Sequence, residues 1–262
     1  SFGLLFSFPF LAIRSFLVGI THTKALSWAA AIAVLINIAL NFYLIFTREL
    51  GISGAAIASS LAEMGSFMML SFYMWIRLDK EKYGLRPVYN GNLLIKVLKL
   101  STWSMLHAFI SVAPWFLFFV SIEHLGKIEL AISNITRSVS AIFFVIANSF
   151  ALTTGSLVSN AIGAGEGKAL FSICSKILKL GYAIGFPLVA IALLCNRWII
   201  GFYTSNELLI QLAFAPFVVM LLNYTFALPG YVYLNAVGGT GKTQMTFLFQ
   251  VTTTTIYLVY LY

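Results

Sequence analysis

SWAAAIAVLINIALNFYLIFT, residues 27–47, decides the fold class. It carries no charged side chain over a length that, wound as a helix, spans roughly 30 Å, the thickness of a bilayer's hydrocarbon core. One such helix fits inside a soluble core, but a whole series does not. Comparable apolar runs lie at about 1–19, 53–76, 102–121, 130–158, 180–200, 208–234 and 244–262, which gives eight expected crossings. The chain is 60% hydrophobic and 9% charged, whereas soluble domains carry roughly 25% charged residues. The runs are continuous and long, not short and alternating, which argues against an outer-membrane barrel. An all-α polytopic membrane protein is therefore expected.

The formal charge of +8 does not indicate a nucleic-acid partner, because the basic residues fall between apolar runs. They sort by side instead. One set of connections holds Lys24; Arg77, Lys80, Lys82, Arg86, Lys96 and Lys99; Lys168, Lys176 and Lys179; and Lys242. The other holds Arg48, Lys127 and Arg197. Eleven against three places the first set in the cytoplasm, in contact with anionic lipid headgroups. Arg14 and Arg137 stand inside spans and are not counted. The longest hydrophilic stretch, with Asp79, Glu81, Pro87 and Gly91, divides the chain into 1–76, a connection over 77–101, and 102–262. If Cys174 and Cys195 lie near opposite ends of one helix, they are roughly 30 Å apart and cannot form a disulfide. No metal cluster, cofactor or enzymatic constellation is expected. GGTGKT at 238–243 has Ala236 where a phosphate-binding loop needs glycine, and it joins two apolar runs. It reads as a turn.

A displacement of 220 residues aligns Pro9 with Pro229, Gly19 with Gly239 and Thr23 with Thr243. In both places an apolar helix containing proline leads through a glycine-containing turn into another apolar helix. The first and seventh runs are involved, so duplicated helix bundles of like orientation are expected, as in some secondary transporters.

With that architecture in view, several stretches resemble the multidrug and toxic compound extrusion family: LINIALNFYLIF (35–46), GISGAAIASSLAE (51–63), AISNITRSVSAIFFVIANSFALTTGSLVSNAIGAGEG (131–167) and LNAVGGTGKT (234–243). The resemblance implies twelve helices in two six-helix lobes, with this chain supplying helices four to eleven as a piece of the whole. It also implies secondary active efflux at the plasma membrane. An inward cation gradient, proton or sodium, would drive an organic, often cationic, solute outward through a monomeric transporter. The related lipid-linked saccharide flippases share the broad architecture. A structural membrane protein or a receptor is the reading from another class. Sodium-coupled relatives place acids in their seventh and tenth helices. The matching positions here fall near Ser111 and Ala227, neither of which is acidic.

Polar residues inside apolar runs are the candidate site residues, since each is costly there unless it faces a partner or water. Glu63 is the one acid well inside a run, suited to cation or proton binding or to a structural hydrogen bond. Asn37 and Asn41 stand one helical turn apart, able to bridge helices or line a polar chamber. His107 and Ser111 are spaced the same way, with Trp115 one further turn on as an aromatic wall for an organic cation or a packing anchor. Pro114 is a candidate bend. Arg137, beside Asn134 and Ser138, pairs with a carboxylate or reaches the headgroups. Asn148, Asn223 and Tyr224 complete the set. Gly51, Gly54, Ala55, Ala56 and Ala58 are expected to allow close helix contacts, as is Gly155.

Overall fold

A computed structural model describes residues 3–85 and 89–261. The helices are α1 (Gly3–Gly19), α2 (Thr23–Asn41, continued by a π-helical turn over Phe42–Thr47), α3 (Gly51–Arg77), α4 (Gly91–Leu125), α5 (Lys127–Gly163), α6 (Leu170–Leu194), α7 (Asn196–Gly201), α8 (Glu207–Gly239) and α9 (Thr243–Leu261). Two compact units divide between Asn90 and Gly91. The expected Arg86 and Pro87 of the connection, with Phe2 and Tyr262 at the ends, lie outside the described residues.

Among the described residues, six helical segments are long and apolar enough to cross a bilayer: Thr23–Thr47, Gly51–Arg77, Gly91–Leu125, Lys127–Gly163, Gly167–Leu194 and Glu207–Gly239. The first and last expected runs are also helical, but they differ in kind. The apolar part of α1, Phe6–Gly19, is shorter than a full crossing. The nineteen residues of α9 include Thr252–Thr255 and two glutamines, which dilute its apolarity. Several boundaries move too. The fourth run was placed at 102–121, yet α4 starts at Gly91, so Lys96 and Lys99 lie on a helix and not in a connection. The sixth is expected at about 180–200, open to lengthening by the basic approach at 169–179. In the structure α6 takes in Lys176 and Lys179 and ends at Leu194, where Asn196 Nδ2 donates to the Leu193 carbonyl at 2.6 Å and a separate short helix begins. Both lysines fall in the first three turns of α6, at the end assigned to the cytoplasm.

In the first unit, α3 packs against both α1 and α2. Its buried line is Gly54, Ala58, Ala62, Ser66 and Leu70, a four-residue spacing of mostly small side chains that lets backbones approach. Gly51, Ala55 and Ala56, expected in that role, are not buried. Gly51 serves the turn instead, with φ +52°, a conformation in which a Cβ would be strained.

The second unit is built on α5 and α8. On α8, Ala213, Phe217, Leu221, Tyr224, Leu228 and Val232 repeat at helical spacing and are buried. Asn206 caps this helix, its Oδ1 accepting from Leu208 N–H at 3.0 Å. Glycine provides the close contacts. A Cβ on Gly185 of α6 would stand 2.2 Å from Tyr224 Cε1 and 2.4 Å from its hydroxyl, while that hydroxyl donates to the Gly181 carbonyl at 3.0 Å. Gly185→Ala is expected to cost about 2 kcal/mol through overpacking and the displaced hydrogen bond. An apparent melting temperature unchanged from wild type would contradict it. Adding Tyr224→Phe should not restore stability, because a ring carbon makes the nearest contact.

The displaced motif recurs in backbone detail. After Gly19, Thr21 takes φ +63° and its N–H meets the Val18 carbonyl at 3.0 Å. After Gly239, Gly241 takes φ +79° and its N–H meets the Gly238 carbonyl at 2.9 Å. Both turns then open a helix on threonine. The 220-residue offset thus relates a turn whose left-handed residue is threonine in one place and glycine in the other.

Candidate functional site

The first unit gathers its polar residues into one strip. On α2, Asn41 Nδ2 donates to Asn37 Oδ1 at 2.9 Å, and Asn37 Nδ2 reaches Ser59 Oγ of α3 at 3.3 Å. One turn along α3 from Ser59 stands Glu63, whose carboxylate accepts from Ser7 Oγ of α1. Helix geometry explains the assembly. Asn37 and Asn41 share a face of α2, and Ser59 and Glu63 share a face of α3. Asn41 Oδ1 is buried and has no hydrogen-bond partner among the described residues. An amide oxygen left in that condition costs about 1–3 kcal/mol, which a bound cation, a donor group or water would relieve. The π-helical turn begins at the next residue, Phe42. Such turns interrupt the regular ladder and are frequent at functional sites.

The residues expected in the second unit are not gathered in this way. His107 is half-buried on α4, and its Nε2 is enclosed with no partner among the described residues. Ser111 donates to the Ala108 carbonyl of its own helix at 2.7 Å. Trp115 lines a partly open cavity of about 280 Å³ with Pro114, Phe118 and Tyr257, and α4 continues as one helix through Pro114. Arg137 is exposed on α5 and bonds Asn134 Oδ1 at 3.5 Å. Asn148 is half-buried and Asn223 exposed. Tyr224, expected at a cavity, is 3% exposed and engaged in packing, edge-on to Phe143 at 6.0 Å. Among the described residues, no three His, Cys, Asp or Glu side chains come together to hold a metal.

The sequence singles out Glu63, Asn37 and Asn41 as candidates but not the serines they bond. Ser59 was legible in principle, four residues before Glu63 in ASSLAE. Ser7 carried no local signal, since the α1–α3 contact is what brings it to Glu63.

A family model described as MatE matches residues 104–262. The chain belongs to the MatE family. With six helices of spanning length and apolarity, this MatE chain is a multi-pass membrane protein. It is 27% identical over 161 residues to "Probable multidrug resistance protein NorM" of Photorhabdus laumondii, covering 59% of this chain and 35% of that protein. To "Probable multidrug resistance protein YoeA" of Bacillus subtilis it is 21% identical over 238 residues, covering 84% of this chain and 49% of that one. The MatE chain therefore spans less than half the length of these two curated relatives. A crystal structure of MATE in complex with MaL6 superposes with TM-score 0.70 at 19% identity, covering 86% of this chain and 51% of that one. A MATE crystal structure in the bent conformation gives 0.69 at 17%, covering 87% and 51%. Those two likenesses carry the fold.

Proposed function

We propose that this chain is the middle of a secondary active exporter that exchanges an organic, typically cationic, solute for an inward-moving cation at the plasma membrane. The polar strip of α1, α2 and α3 is the observation that carries the reading. It holds the carboxylate of Glu63, a set of neutral amide and hydroxyl donors and acceptors, and one amide oxygen still open for a ligand. A carboxylate inside an apolar run attracts a cation by charge, and amide oxygens can replace part of its hydration. No covalent chemistry is required, so alternating access suffices. The names of the NorM and YoeA relatives, both described as multidrug resistance proteins, agree with a broad organic substrate class.

The wider reading has residues 1–76 closing one bundle, 77–101 connecting, and 102–262 forming most of a second, duplicated bundle, with eight crossings in all. The matching turns at Thr21 and Gly241 support the duplication, and one protomer forms the transport unit. His107 is the second bundle's contribution to the solute path, offering a ring nitrogen with no partner among the described residues.

The test is flux by the full-length protein in sealed vesicles, with proton and sodium gradients imposed separately and a panel of organic cations as solutes. Acceleration of at least one solute by one gradient is expected. Flipping of a labelled lipid-linked saccharide with no organic-cation flux would instead make the protein a flippase. Neither activity from correctly folded protein would remove the transport reading.

A further inference from the structure

The second unit holds a cation that its own fold leaves without a counterion. Among the described residues no carboxylate pairs with Arg137; its hydrogen bond is the 3.5 Å contact to Asn134 Oδ1. Its guanidinium lies 5.3 Å from the centre of the Phe119 ring of α4. Phe119 in turn stacks on Trp115 at 6.5 Å and 21° and meets Phe118 edge-on at 5.5 Å. Trp115 and Phe118, with Pro114 and Tyr257 of α9, line the cavity of about 280 Å³. One aromatic ladder therefore joins an unpaired cation to an apolar slot.

The two parts are stacked in depth. Chain direction reverses at Gly126, between the end of α4 and the start of α5. Phe119 lies nearer that turn than Pro114 and Trp115 do. Arg137 is roughly 15 Å along α5 from Lys127. The 37 residues of α5 make a helix about 55 Å long, against a hydrocarbon core of roughly 30 Å. Centred on the bilayer, α5 projects about 12 Å at each end. Arg137 then sits close to the boundary between headgroups and acyl chains; its guanidinium reaches back toward the turn to the Phe119 ring, while Trp115 and Pro114 of the slot stand farther from the turn than Phe119.

We propose that this is a binding site for an anionic phospholipid, its phosphate on Arg137 and an acyl chain in the Trp115–Phe118–Tyr257 slot. A guanidinium offers several N–H donors in a geometry that fits phosphate oxygens. An organic cation is disfavoured there on two grounds: Arg137 repels it, and Arg137 already occupies a face of Phe119. The proposal does not rest on the transport reading, since a lipid can occupy this site whether or not the protein moves a solute.

Tryptophan fluorescence tests it in vesicles of the full-length protein, with bromine on the acyl chains of either phosphatidylglycerol or phosphatidylcholine. The signal from Trp115 is the difference between wild type and Trp115→Phe. At low mole fraction, brominated phosphatidylglycerol is expected to occupy the slot with about fivefold preference, the worth of one basic side chain at an anionic headgroup. Arg137→Gln should abolish the preference and Arg137→Lys should keep most of it. Phe119→Leu, which leaves the charge in place, should weaken quenching by both lipids. Equal quenching by the two lipids in wild type, or an unchanged preference in Arg137→Gln, would overturn the proposal. Protection of Trp115 by a water-soluble naphthalene sulfonate, with no phosphatidylglycerol preference, would overturn it as well and assign the site to a dissolved organic anion.

Discussion

Gly239→Ala is expected to destabilise the second unit by about 3 kcal/mol, at the upper end of overpacking costs. A Cβ there would stand 2.4 Å from the Gly155 carbonyl oxygen and 3.1 Å from Gly155 Cα. Both atoms are backbone and cannot swing aside as a side chain can. Relief requires α5 and α8 to separate where Ser159 Oγ also donates to the Gly239 carbonyl at 2.7 Å. The same substitution elsewhere on α8 should have the opposite sign. Gly230 has nothing within 4 Å of its Cβ position, so Gly230→Ala removes only backbone freedom and should gain about 0.5–1 kcal/mol. Apparent melting temperatures of the full-length variants in one detergent provide the measurement. If both variants moved in the same direction, the close approach of α5 and α8 would not be the cause.

Glu63→Gln is expected to reduce gradient-driven flux by about tenfold or more, since a hydrogen bond to a charged group contributes roughly 1.5–3 kcal/mol. Glutamine keeps the shape and can still accept from Ser7, so the fold should persist. What disappears is the negative charge that would hold the coupling cation. Downhill exchange of solute without an imposed gradient should fall less than gradient-driven transport. Transport with an unchanged response to both gradients would remove Glu63 from the mechanism and leave its bond to Ser7 as structural.

The contrast between those two experiments reflects what the sequence could express. Crossings were legible because a bilayer demands length and apolarity, which 27–47 states outright. The turn after Gly239 was legible because the GGTGKT stretch joins two apolar runs. Facing was far less legible. A helix in lipid is apolar on every side, so periodicity no longer separates core from surface. That is why Gly51, Ala55 and Ala56 were placed in the interface that Gly54, Ala58, Ala62 and Ser66 form. The burial of Tyr224 was illegible for the same reason. Its ring fills the space that Gly185 leaves open on another helix, and nothing adjacent to it in the sequence reveals that. The start of α6 was partly legible, since the basic approach at 169–179 leads into the run at 180–200 and is the first turns of the helix; its end at Leu194 was not, because the apolar run continues into the separate helix Asn196–Gly201.

The pairing of α5 with α8 also bears on biogenesis. The two glycines that meet are Gly155 and Gly239, so α5 is synthesised well before its partner exists. Until residues 164–206 and then α8 have followed, α5 must remain in the bilayer with Asn134, Arg137, Asn148 and Thr154 on it and without the surface that α8 later covers. Lateral assembly of this unit therefore has to wait for late translation. A chaperone or insertase that shields α5 during that interval would govern yield, and a ribosome stalled before α8 would leave an intermediate exposed to membrane proteases.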